Sequence, residues 1–111
     1  MRPIPVRMLI HRATLSTVEK DENLKEFDRM KASLVRVRFE PSSKIIAGAN
    51  KTDIQCTAKL FVDAVNSWPQ GVVINEGESV QWEGRRYIVQ QVFPLYDERD
   101  LHHWEVELSD G

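Results

Sequence analysis

Cysteine is almost absent from this 111-residue chain: Cys56 stands alone, so no internal disulfide can form. That usage fits a reducing compartment. Long apolar runs are missing too, and nothing approaches the ~18 residues that cross a bilayer as a helix. Met1-Arg2-Pro3-Ile4-Pro5 is not the hydrophobic segment of a secretory signal, so the expected location is the cytoplasm of the cell that makes the chain. There is no excess of positive charge. Lys and Arg number 15 against 17 Asp and Glu, for a formal net charge of -2. Free-standing nucleic-acid binders are usually basic, because their affinity comes largely from neutralising phosphates. No glycine-rich phosphate cradle, nucleophile elbow or zinc-ligand spacing occurs, and no repeat or linker divides the sequence.

What is present is alternation. With 41% apolar and 29% charged residues, the composition is that of a globular domain, and one domain over residues 1–111 is expected. Pro5 suits the start of a short helical turn. Residues 11–18 read as a strand rich in β-branched side chains. Residues 24–34 have partial helical spacing but lack a cap, and lean towards an irregular hairpin arm rather than a helix. Val35, Val37 and Phe39 alternate with Arg36, Arg38 and Glu40, giving a strand that Pro41-Ser42-Ser43 ends. Residues 44–53 carry Gly48 and Asn50 without periodicity and read as a loop. Ile54, Cys56, Ala58, Leu60 and Val62 form the most regular strand of the chain.

The last third is a β-meander. Ser79-Val80-Gln81-Trp82 is followed by a tight turn at Glu83-Gly84-Arg85, then by a returning strand over residues 86–93. Pro94 to Asp100 interrupts it, and residues 101–108 form the final strand. The expectation is an all-β fold, a small barrel of about six mainly antiparallel strands, which leaves few exposed edges. Val35, Val37, Phe39, Ile54, Cys56, Ala58, Leu60, Val89, Trp104, Val106 and Leu108 should point inward.

Candidate sites are few. Neighbouring strand residues face opposite ways, so His102 and His103 should not share an ion, and His102 should side with Trp104 and Val106. Cys56 falls on the dry face, where a thiol behaves as a small hydrophobe. Asp97, Glu98, Arg99 and Asp100 form a charged elbow suited to docking on a neighbouring subunit. The loop residues Ser43, Lys44, Ile45, Ile46, Asn50 and Lys51 are the least self-supported, with two adjacent isoleucines among polar neighbours, and are expected at a subunit interface or a channel. Arg36 with Arg38, and Arg85 with Arg86, are isolated basic pairs. No convergent nucleophile, base and stabiliser is evident, so no enzymatic activity, cofactor or metal is expected. One alternative is a small-barrel module for peptide or single-stranded nucleic acid, using Tyr87, Phe93 and Trp82 as an aromatic platform. A metal-dependent hydrolase around His102, His103 and the nearby acids is a third, weaker reading.

Three stretches carry a family resemblance. They are Arg36-Val37-Arg38-Phe39-Glu40-Pro41-Ser42-Ser43-Lys44, Ala58-Lys59-Leu60-Phe61-Val62-Asp63-Ala64-Val65-Asn66-Ser67, and the run from Pro94 through Tyr96-Asp97-Glu98-Arg99-Asp100-Leu101-His102-His103-Trp104 to Val106. Together with the start, Pro3-Ile4-Pro5 and Leu9-Ile10-His11, they resemble the small minor capsid proteins of tailed phages and prophages of Gram-positive bacteria. The resemblance implies a structural virion protein, a head–tail connector or head-completion component. Such a protein would form a homo-oligomeric, dodecameric ring below the portal, contact portal or adaptor and tail proteins, and pass DNA without sequence specificity. It implies no catalytic residue, no cofactor and no membrane. Residues 19–32 match the family pattern least well.

Overall fold

The computed structural model describes residues 2–48 and 52–111. Within them six strands pair antiparallel and close into a barrel. They are β1 (His11–Lys20), β2 (Glu26–Ala47), β3 (Asp53–Asp63), β4 (Ser79–Trp82), β5 (Arg85–Tyr96) and β6 (Leu101–Asp110). The order around the barrel is β1-β2-β3-β6-β5-β4. A 3-10 turn at Val6–Met8 follows Pro5, as expected.

Alternation builds the core. Leu15, Leu34, Val37, Leu60, Val80, Val106 and Leu108 have no exposed surface, and Val62 and Val89 are nearly as buried. Each such side chain contributes about 1.5–3 kcal/mol relative to full exposure. Phe39 stacks on Trp82 with ring centroids 4.3 Å apart, and Tyr87 adds a tilted contact to Phe39 at 5.0 Å. Glu83 and Gly84 both have positive φ, 48° and 77°, the geometry that lets a two-residue turn join β4 to β5 without splaying them. Of the eleven residues expected inside, Val35, Ile54 and Trp104 are only partly buried.

Val35 is displaced by a break in the alternation. Arg36 takes a left-handed φ of 56°, so Leu34 and Val37 both enter the core although they are an odd number of residues apart. The Val35 N–H instead donates to the Trp68 carbonyl at 2.8 Å, and its own carbonyl accepts from Trp68 N–H at 2.9 Å. One bulge thus moves the inward register from one residue to its neighbour.

Two further boundaries are corrected. Pro41-Ser42-Ser43 does not end the strand, since β2 continues through it with a register shift between Pro41 and Lys44. The stretch read as a loop is therefore largely hairpin, with Lys44 opposite Cys56 and Ala47 opposite Asp53. Pro94 does not interrupt either. It pairs with Trp104 inside β5, at a level where β4, which reaches only residues 85–88 of β5, no longer lies alongside. The missing N–H of proline is tolerated on such a free edge.

Of residues 24–34, Glu26 onward prove to be extended as one side of a hairpin, and Leu24, with a left-handed φ of 63°, belongs to its turn. β4 meets β1 only at Thr14, Leu15 and Ser16, whereas β1 and β2 stay paired out to Lys20 and Glu26. A two-stranded arm therefore projects past the barrel, carrying Phe27 at 40%, Met30 at 64% and, at its tip, Leu24 at 75% exposure.

Core and arm should respond differently to truncation. Leu60→Ala is expected to cost about 2–5 kcal/mol, whereas Leu24→Ala should stay within ~0.5 kcal/mol. Urea unfolding of both variants checks this, and equal losses would contradict the division.

Candidate functional site

The elbow between β5 and β6 closes on itself. The Asp97 N–H donates to the Asp100 carbonyl at 2.9 Å, and one Asp97 carboxylate oxygen accepts from the N–H groups of Arg99 and Asp100, each at 2.9 Å. Those two bonds hold the Asp97 carboxyl down to about 2. Asp97 is thus the internal brace, and Glu98, Arg99 and Asp100 are the exposed members of the expected docking elbow.

The β2–β3 hairpin divides its two isoleucines. Ile46 is 7% exposed and Ile45 64%, so only Ile45 is available to a partner. Ser43 is exposed and its hydroxyl accepts a 3.4 Å bond from the Gln55 amide. The Lys44 ammonium sits 5.4 Å from the Phe93 ring centroid and 3.8 Å from Glu107 Oε1. Asn50 and Lys51 lie outside the described residues. Gly48 closes the described end, its N–H donating to the Thr52 carbonyl at 2.7 Å. A Cβ there would fall 2.8 Å from that same oxygen, which excludes any larger residue without a shift of the hairpin.

A row of ionisable groups on β3 and β6 was not legible from periodicity. His103 Nε2 lies 2.9 Å from Glu105 Oε2, and Lys59 Nζ lies 3.2 Å from both Glu105 Oε1 and Glu107 Oε1. Glu107 has no exposed side-chain surface. Its contact with Lys59 is electrostatic, for neither of its oxygens receives a well-directed hydrogen bond. Burial alone would pull the Lys59 ammonium down, but the two carboxylates outweigh it and hold it above its usual value. Burial would likewise push Glu105 up, and the hydrogen bonds from His103 and Lys59 reverse this and leave it low. Cys56 is fully buried, and burial first, then the Glu107 charge, raises its thiol above the ordinary value. A thiol held protonated in this way is a poor nucleophile.

His102 and His103 do not face apart. Leu95 pairs with His103 and Tyr96 with Leu101, leaving His102 as the extra residue of a bulge. The two imidazoles consequently meet, Nδ1 to Nδ1 at 2.7 Å, and His102 does not continue the inward row of Val106 and Leu108. Among the described residues, no group of three or more His, Cys, Asp or Glu side chains is arranged to hold a metal ion.

The other candidates disperse. Tyr87 is 5% exposed and Trp82 is stacked on Phe39, so with Phe93 they form no outward aromatic platform. Arg38 is engaged by Glu40 at 2.7 Å, whereas Arg36 is exposed at the bulge. Arg86 forms a two-pronged pair with Asp28 at 2.8 and 2.9 Å, which lowers the Asp28 carboxyl. Arg85 shares a shallow polar basin with Arg12 and Arg86.

Residues 5–108 match the model of a family described as minor capsid protein. Among solved structures the chain is similar to protein xkdH of the phage-like element PBSX of Bacillus subtilis, at 16% identity and a TM-score of 0.48. That similarity covers 93% of this chain and 95% of the other. No curated protein matches significantly.

The elbow has a defined acid limit. Because the folded Asp97 value of about 2 lies below the ordinary 3.8, its bracing is complete above that ordinary value and is lost as pH falls through the folded one. The Arg99 and Asp100 amide proton shifts should titrate together with a midpoint near the folded value. A midpoint at the ordinary value, or amides that do not move, would show that the brace does not form in solution.

Proposed function

This chain belongs to the minor capsid protein family, whose model spans nearly all of it, and we propose that it acts as a head–tail connector component of a phage or prophage virion. Membership makes it a structural virion component. The finer reading is a ring of identical subunits, dodecameric, seated below the portal and contacting tail proteins, through which DNA passes without sequence recognition. The chain would be made in the host cytoplasm and act without enzymatic activity.

One observation in the molecule supports this best. The barrel hides its edges, yet the β1–β2 arm carries apolar side chains and free strand edges well beyond it. An element of that kind gains by pairing with or packing on another chain. Lys20, Lys25, Glu26 and Arg29 mark the same arm with charge of both signs, which discourages indiscriminate stacking of free subunits. Ser43, Lys44 and Ile45 on the β2–β3 hairpin and the Glu98–Arg99–Asp100 face of the elbow supply two more contact points, to a neighbouring subunit, the channel or the tail. Individually small, polar contacts fit a subunit that assembles on a template.

Two experiments test the reading. Particles made without this chain should package DNA but fail to retain it or join tails, and fully infectious particles would overturn the assignment. In the second, the free protein should elute as a monomer at micromolar concentration. Replacing Leu24 and Phe27 with serine should leave its stability within about 1 kcal/mol of wild type and sharply reduce its incorporation into portal-bearing heads. Normal incorporation of that variant would remove the arm from the assembly.

A further inference from the structure

Residues 2–9 lie along the barrel as a strap held mainly by polar contacts. The Ile4 N–H donates to Asp63 at 2.9 Å, and the Asn66 side-chain amide donates to the Ile4 carbonyl at 2.8 Å. Arg38 donates to the Met8 carbonyl at 3.1 Å, and His102 Nε2 meets the Arg2 carbonyl. The 3-10 turn in the strap has no buried residue; Leu9, just after it, is the strap's one buried residue, at 4% exposure, and Ile4 is partly buried. Beneath lies a cavity of about 200 Å³ lined by Ile4, Met8, Arg38, Glu40, Phe61 and His103.

Both outer nitrogens of the His102–His103 pair face atoms that only accept. His102 Nε2 faces a backbone carbonyl and His103 Nε2 faces the Glu105 carboxylate, so each must carry a hydrogen. A neutral imidazole has only one. Two neutral rings would therefore set bare lone pairs against each other across the 2.7 Å between the Nδ1 atoms, which is a hydrogen-bond length. Placing the missing hydrogen on Glu105 instead is disfavoured, because His103 and Lys59 hold that carboxylate ionised.

We propose that the pair binds one further proton between its Nδ1 atoms, and that this singly charged His102–His103 unit latches the strap onto the barrel. When the shared proton leaves, only two hydrogens remain for three contacts. The charged contact to Glu105 is the strongest, so His103 keeps its Nε2 hydrogen. His102 then turns its single hydrogen to Nδ1 and presents a bare Nε2 to the Arg2 carbonyl, which repels it. The strap opens at that end and uncovers Phe61. A second added proton also breaks the unit, since two Nδ1 hydrogens cannot occupy the gap. Strap closure is therefore greatest in the singly charged state.

The surroundings supply the field. On β6 the pair faces Glu105; on β3, Lys59 bonds Glu105, and Asp63 stands opposite His103 in the ladder. From β2, Arg38 and Glu40 line the cavity with His103. The strap brings Arg2 by its carbonyl, β5 brings uncharged Leu95 opposite His103, and the Phe61 ring centroid is 6.2 Å from that of His103. The carboxylate of Glu105 at one end and the carbonyl of Arg2 at the other make a single positive charge the best-matched state.

Amide hydrogen exchange of the full chain tests the latch, with Ile4 as reporter and Leu60 of β3 as internal reference. Between a mildly acidic and a mildly alkaline pH, as the shared proton leaves, Ile4 protection relative to Leu60 should fall about tenfold or more in the wild type. His102→Gln keeps a donor near the Nε2 position that does not titrate, so its protection should stay high at both values. His102→Phe removes the donor and should show the lowered protection of the alkaline wild type at both. Wild-type protection that ignores pH would overturn the proposal, as would a His102→Gln chain that follows the wild-type pH response. A His102→Phe chain as protected as wild type would do so equally.

Discussion

Closure of the barrel rests on four residues. β4 meets β1 over Thr14, Leu15 and Ser16 on one side and β5 from Arg85 to Ile88 on the other. Without it the remaining strands would form an open sheet with two exposed edges. The small strand is well secured. Ser79 and Val80 have no exposed surface, and the preceding Glu78 is fixed by Lys31 at 2.7 Å and by the Asn75 N–H at 2.7 Å. Because β4 is so short, everything longer than it runs on as a projecting hairpin. The same constraint that closes the barrel thus determines where its arms begin.

Charge is managed differently on the two parts. The barrel wall carries a fully buried carboxylate, Glu107, beside Lys59 and near Lys44. A buried charge is costly unless paired, and here the pairing lies across adjacent strands, so it also ties β3 to β6 and the β2–β3 hairpin to both. Glu105 continues the row to His103, and the histidine pair continues it to the strap. The arms instead expose apolar groups between solvated charges, an arrangement suited to meeting another chain.

Much of this was legible in the sequence. Strict alternation around Leu60 and Val106 located the core strands, and Glu83-Gly84 located the turn. The breaks in alternation were not legible. Arg36 adopts a left-handed backbone where Val35 pairs with Trp68, a residue far along the chain, and the break puts Leu34 inside in place of Val35. The bulge at His102 likewise depends on where Leu95 and Tyr96 pair, and it turned two histidines expected on opposite faces into a contacting pair. Proline was over-read at Pro41 and Pro94, where a bulge and a free edge accommodate it. The charged elbow was visible in composition, but the bracing role of Asp97 needed the hydrogen bonds. The family resemblance carried the function, which neither composition nor spacing supplies.

A closed barrel that withholds its edges and offers them only on arms should differ between the free and assembled states in one region. Hydrogen exchange of the isolated protein and of the same chain in purified particles is the most direct comparison. Amides of β3, β4 and the inner half of β6 should be protected equally in both, while those along the β1–β2 arm, residues 17–29, should exchange readily in the free protein and become protected in the particle. An arm that exchanges identically in both states would contradict the claim that the arm is the assembly element.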